Sequence, residues 1–93
     1  MARCLGSFDL VSPDEKIVGD AKYLKNIPVP AAKWQGIAKC IWLLQKVSAE
    51  RTFMVFGRDI EVAQRYLTRV GALTAPVEFY YLGADGHRRI WPL

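Results

Sequence analysis

Residues 8–24 read FDLVSPDEKIVGDAKYL. Two short runs flank Ser12-Pro13-Asp14-Glu15, which has a β-turn signature: proline presets φ at the second position and aspartate tolerates the third. A turn centred on Pro13-Asp14 sets Ser12 opposite Glu15, Val11 opposite Lys16 and Asp9 opposite Val18. Strand side chains alternate between faces, so Asp9, Val18, Asp20 and Lys22 share one face. The other face collects Phe8, Leu10, Ile17, Gly19, Ala21 and Tyr23 and is the expected core face. Two acids and a lysine on one face of a hairpin can hold a divalent metal beside a phosphate. The plainer alternative is a hairpin with a solvated charged face. A slip of one residue would split the acids between faces.

Outward from this hairpin, the whole chain of 93 residues reads as one small domain, 1–93. A hydrophobic fraction of 52% with 24% charged residues is globular and not disordered. No apolar run approaches the roughly 20 residues that span a bilayer, so no membrane partner is expected. MARCLGSFDL lacks a signal-peptide core. Cys4 and Cys40 make neither a metal pattern nor a disulfide framework, and free thiols in a reducing cytoplasm are expected, with Cys40 in a core. A net charge of +4 suits a polyanionic partner without requiring one.

The strands of the hairpin are read over 7–12 and 16–24. Ile27-Pro28-Val29-Pro30 cannot sit inside a sheet and reads as an extended crossover. A helix follows over 31–47, with Trp34, Ile37, Ala38, Ile41, Leu44 and Val47 as its buried stripe. Trp42 lies partly off that stripe, as a second packing contact or a subunit interface. The run RTFMVFG, with its strand over 52–57, is nearly continuous in apolar residues and predicts a central parallel strand buried on both faces. Asp59 is the expected N-cap of a second helix striped by Ile60, Ala63, Leu67 and Val70, with Gly71 as its stop. Arg65 and Arg69 stand one turn apart on its open face, as a solvated pair or as phosphate contacts. Val77–Leu82 reads as a strand, Gly83-Ala84-Asp85-Gly86 as a hairpin turn, and 87–91 as the returning strand. His87 is read as a surface residue. The fold expected is α/β (α+β): a mixed sheet with an antiparallel hairpin, a right-handed crossover helix to a buried parallel strand, a second helix and a C-terminal hairpin.

Phe8-Asp9-Leu10-Val11 followed by Ile17-Val18-Gly19-Asp20-Ala21-Lys22-Tyr23 resembles the PD-(D/E)XK nuclease superfamily, the restriction-endonuclease-like fold. In that family an Asp ends one strand, an acid-x-Lys lies on the next, and a helix crosses to a buried parallel strand. The resemblance covers roughly residues 7–57. It implies metal-dependent hydrolysis of DNA phosphodiester bonds, with Asp9 and Asp20 as ligands of Mg²⁺ or Mn²⁺, the Ala21 carbonyl as a further ligand, and Lys22 orienting water or neutralising the scissile phosphate. Gln35 resembles the polar helix residue that some members add to the site, and Lys33 competes for that role. Lys33, Arg65 and Arg69 are the candidate DNA contacts. Pro13-Asp14 spells the literal dipeptide but falls in the turn, and no role is carried onto it.

The family fold normally opens with a helix, often bearing a further Glu, and a strand before the Asp-bearing strand. Eight residues precede Asp9 here. An N-terminally truncated domain is therefore expected: a fragment, a start placed too far downstream, or a sheet completed by a partner subunit. The alternative function is a catalytically inactive domain of the same fold, serving as a nucleic-acid-binding or assembly module. Trp34, Trp42 and Trp91 leave more apolar surface than a small monomer hides, so a homodimer is expected.

Overall fold

The computed structural model of the chain describes residues 8–24 and 31–92. The expected crossover at Ile27–Pro30 and the start of the first strand at Ser7 lie outside them. Five strands, β1 (Leu10–Val11), β2 (Ile17–Tyr23), β3 (Arg51–Gly57), β4 (Glu78–Gly83) and β5 (Gly86–Trp91), form one mixed sheet in chain order. The outer pairs β1–β2 and β4–β5 are antiparallel, and the inner pairs β2–β3 and β3–β4 are parallel. Helix α1 (Ala31–Lys46) links β2 to β3, and α2 (Ile60–Val70) links β3 to β4. The domain is thus α+β with two helices, as the hairpin–crossover reading expected. No helix among the described residues is long and apolar enough to cross a membrane.

Parallel neighbours taken in sequence, each with a right-handed crossover, put both helices on the same side of a sheet. Trp34 of α1 stacks on Tyr66 of α2, ring centroids 4.5 Å apart, which fixes the helices side by side. Beneath them lie Val18, Met54, Phe56 and Phe79, all fully buried, with Phe56 and Phe79 stacked at 5.9 Å. Ile37, Cys40, Ile41 and Leu44 of α1 and Ala63 and Leu67 of α2 close the core. Each large apolar side chain so removed from water stabilises the fold by about 1.5–3 kcal/mol.

This arrangement corrects the face assignment. The core face of β2 is the one bearing Val18, Asp20 and Lys22. The face of Leu10, Ile17 and Tyr23, expected to be the core, is uncovered, while Phe8, expected with them, is buried in the core. The residues of that face are more apolar, but the helices decide which side is buried, and crossover direction places them. For the same reason β3 is covered on one side only: Thr52, Met54 and Phe56 are buried while Phe53 and Val55 are half-buried.

The hairpin also differs in register. Glu15 N–H donates to Ser12 C=O at 2.9 Å, so the expected turn forms, but Glu15 then adopts φ 61 and the loop runs on to Lys16. Ser12 therefore meets Ile17, and Val11 pairs with Val18 instead of Lys16. The slip is two residues, an even number, so it keeps the parity of β1 against β2; past the end of β1 the alternation breaks, with Phe8 buried in the core and Asp9 exposed beside Asp20. Asp14 ties the loop by accepting from Ser12 Oγ at 2.7 Å and from Lys16 N–H at 3.1 Å.

Asp59 caps α2 as expected, accepting from Val62 N–H at 3.0 Å. Gly71 does end α2, though not as a left-handed cap: its φ is −54 and a 3-10 turn, Gly71–Leu73, continues the chain. A Cβ at Gly71 would run into the Trp91 ring, so close approach is what requires glycine there.

Candidate active site

Asp9, Asp20 and Lys22 converge where β1 ends and β2 continues alone. The ladder pairs Leu10 with Gly19, and the next step along is Asp9 beside Asp20. There the strands exchange side-chain bonds: Asp9 N–H donates to Asp20 Oδ1 at 3.1 Å, and Ala21 N–H donates to Asp9 Oδ2 at 3.3 Å. The N–H and C=O of one strand residue point to the same edge. The Ala21 carbonyl therefore faces the Asp9 side, past the end of β1.

Asp20 is 3% exposed, under α1. Its Oδ2 accepts from the Cys40 thiol at 2.8 Å and lies 3.2 Å from Lys22 Nζ. Burial pushes the Asp20 carboxyl up, but the hydrogen bonds from Cys40 and Asp9 and the Lys22 ammonium outweigh it and hold the group below its ordinary 3.8. Burial, followed by the Asp20 carboxylate, pushes the Cys40 thiol up to about 12, so it stays protonated and donates. Lys22 keeps 26% of its side chain exposed and bridges the buried acid to solvent. Asp9 is exposed, and among the described residues nothing donates to its Oδ1.

Asp9, Asp20, Lys22 and Ala21 thus come together as expected. Lys33 and Gln35 are exposed at the start of α1, with no described bond to the acids. At about 100° per residue, Lys33 lies within about 20° of Cys40 around the helix and Gln35 about 140° away. Lys33 therefore shares the stripe that faces Asp20. Arg65 and Arg69 are exposed on α2. His87 is on the surface, its ring 6.2 Å from Tyr80. Cys40 was expected only as core; its bond to Asp20 joins residues 20 apart, and the sole local signal is its place on the Lys33-Gly36-Cys40 stripe.

Among the described residues no group of three or more His, Cys, Asp or Glu is placed to hold a metal ion. Carboxylate and carbonyl oxygens are the donor type that Mg²⁺ takes, but both Asp20 oxygens and Asp9 Oδ2 already accept hydrogen bonds, which leaves Asp9 Oδ1 as the open carboxylate oxygen among the described residues. Compared with protein-family models, with curated proteins and with solved structures, the chain matches none.

Proposed function

We propose that the chain is a metal-dependent endonuclease domain of the PD-(D/E)XK kind, hydrolysing DNA phosphodiester bonds and working as a homodimer. The observation that carries this reading is the pairing of Asp9 with Asp20 at the end of β1, with Lys22 3.2 Å from Asp20. Asp9, Asp20 and the Ala21 carbonyl would hold Mg²⁺ or Mn²⁺, which when bound supplies an acidified water and stabilises charge on the phosphate. Lys22, a quarter exposed, is set to meet the scissile phosphate or orient water. Asp20 is held by the Cys40 thiol and the Asp9 N–H as well as by Lys22. Lys33 at the α1 entry and Arg65 and Arg69 on α2 are the proposed phosphate contacts; Gln35 is the alternative polar partner of the site.

A second reading is favoured by one observation: Asp20 is almost fully buried and already accepts from a thiol, an N–H and an ammonium. A carboxylate so satisfied suits a catalytically silent module of the same fold, binding nucleic acid or assembling with partners.

Thermal melts with Mg²⁺ or Mn²⁺ and plasmid nicking separate the two. Binding to the folded state alone adds about 2.7 kcal/mol at a hundredfold excess over the dissociation constant. Asp20→Asn is expected to remove most of that gain, and Lys22→Ala to keep it while abolishing nicking. A wild-type chain with neither a metal-dependent shift nor nicking leaves the silent module as the reading.

A further inference from the structure

The two helices carry the chain's excess positive charge. Lys33, Lys39 and Lys46 lie on α1 and Arg65 and Arg69 on α2, against a single helical acid, Glu61. That difference equals the net charge of the whole chain, +4. The remaining acids sit on strands, turns and loops. Lys33 shares the stripe that faces Asp20. The other four cations are exposed, and among the described residues none of them makes an ion pair.

Packing turns these cations toward one track. Each helix joins two parallel strands, so α1 and α2 run in the same direction. The Trp34–Tyr66 stack sets their level, and Gln45 Nε2, donating to the Leu73 and Ala75 carbonyls at 2.9 Å, holds the far end of α1. Trp34, Ala38, Trp42 and Lys46 follow at four-residue steps, a row that winds from the α2 side of α1 out to solvent. On α2, at about 100° per residue, Arg69 lies about 60° from Tyr66 and leans toward α1, Arg65 stands about 160° from the buried Leu67, and Glu61 is about 140° from Tyr66 on the far side. The track has an aromatic and alanine floor with cations on both banks. At about 1.5 Å per residue, it runs about 20 Å from Arg65 to Lys46.

We propose that this track binds single-stranded nucleic acid, with phosphates on Lys39, Lys46, Arg65 and Arg69 and a base stacked on Trp42. The proposal rests on the nucleic-acid partner of the readings above and gives it a surface apart from the acids: Trp42 is about 160° round α1 from Cys40. Charge complementarity carries it, since four exposed cations without local acids suit a polyanion. Trp42 narrows the partner. It is 55% exposed, and Lys46 Nζ lies 5.4 Å from its ring centroid. Its neighbours one turn away, Ala38, Lys39, Gln45 and Lys46, include no large aliphatic side chain. A membrane surface needs a broad apolar face around such a ring. An open ring among cations suits an unpaired base beside its phosphates, whereas a duplex keeps its bases stacked inside.

Fluorescence anisotropy of a dye-labelled oligothymidylate, titrated with the full chain in EDTA from about 50 mM salt upward, tests it. EDTA takes metal binding and nicking out of the readout, so failure of the catalytic reading and failure of this one are told apart. Binding is expected to weaken with salt, with a logarithmic slope of about −3 for four phosphates at about 0.7 each. Trp42→Ala is expected to raise the dissociation constant at least about fivefold and leave the slope alone. Lys46→Gln and Arg69→Gln are each expected to flatten the slope by about 0.7. All three alter exposed side chains, so their melting is expected to match the wild type. A wild type that does not bind overturns the proposal, as does binding that all three variants leave unchanged. A duplex of the same length bound as tightly overturns the single-strand assignment. A chain that ignores the oligonucleotide and sediments with phosphatidylserine vesicles makes the track a membrane surface and overturns the proposal.

Discussion

Replacing Lys22 with methionine removes the cation beside a nearly dry carboxylate and keeps most of the side chain's bulk. Taking one partner from a buried pair costs about 3–5 kcal/mol when the other is left uncompensated. Two features reduce that here. Asp20 keeps the Cys40 thiol and the Asp9 N–H, and Lys22 itself is a quarter exposed, so water screens the pair. The expected loss is about 1–2 kcal/mol, or about 5–15 °C in melting temperature for a domain of this size. The cause is the charge on Asp20, so Asp20→Asn should absorb much of it. In a double-mutant cycle the second change is expected to recover at least about half of the Lys22→Met loss, a coupling of about 0.5–1 kcal/mol. Thermal melts of the four proteins at neutral pH measure it. Strictly additive losses would refute the view that Lys22 holds a charged, buried Asp20.

Acid should act through the same carboxyl. Its folded value lies below the ordinary 3.8, so its contribution is complete above that value and is lost as pH falls through the folded one. The melting-temperature gap between wild type and Asp20→Asn is therefore expected to shrink as pH drops below about 4; a constant gap would remove the group from the acid transition. Asp59→Ala, deleting the α2 cap, is expected to cost about 1 kcal/mol in urea unfolding, with an unchanged value showing that the 3.0 Å bond to Val62 contributes nothing.

Local chemistry made part of this molecule readable in advance. Asp59 ahead of the Ile60-Ala63-Leu67 stripe specifies α2 within its own turn, and the dense apolar run of β3 marks a central strand. The two acids come to lie side by side because a slip of two residues moves Asp9 from opposite Val18 to beside Asp20. What stayed hidden depends on distant partners. Nothing in IVGDAKY tells which of its faces meets a helix, and its more apolar face is the bare one. Glu15 gave no sign that it would take a left-handed backbone and lengthen the loop. The Cys40–Asp20 bond exists only once α1 has crossed back over β2.

That bond gives the domain an internal clock. A thiol held near 12 is ionised in only about one part in ten thousand at pH 8, and the thiolate is the form that alkylating reagents attack. Cys40 also lies between α1 and the sheet. Reagent therefore reaches it in molecules whose helix has lifted, and in those the thiol returns to ordinary acidity. In a Cys4→Ser background the alkylation rate, divided by that of the unfolded chain, counts the fraction of time α1 spends away from β2. A single native side chain thus reports the looseness of the roof over Asp20, with no probe added.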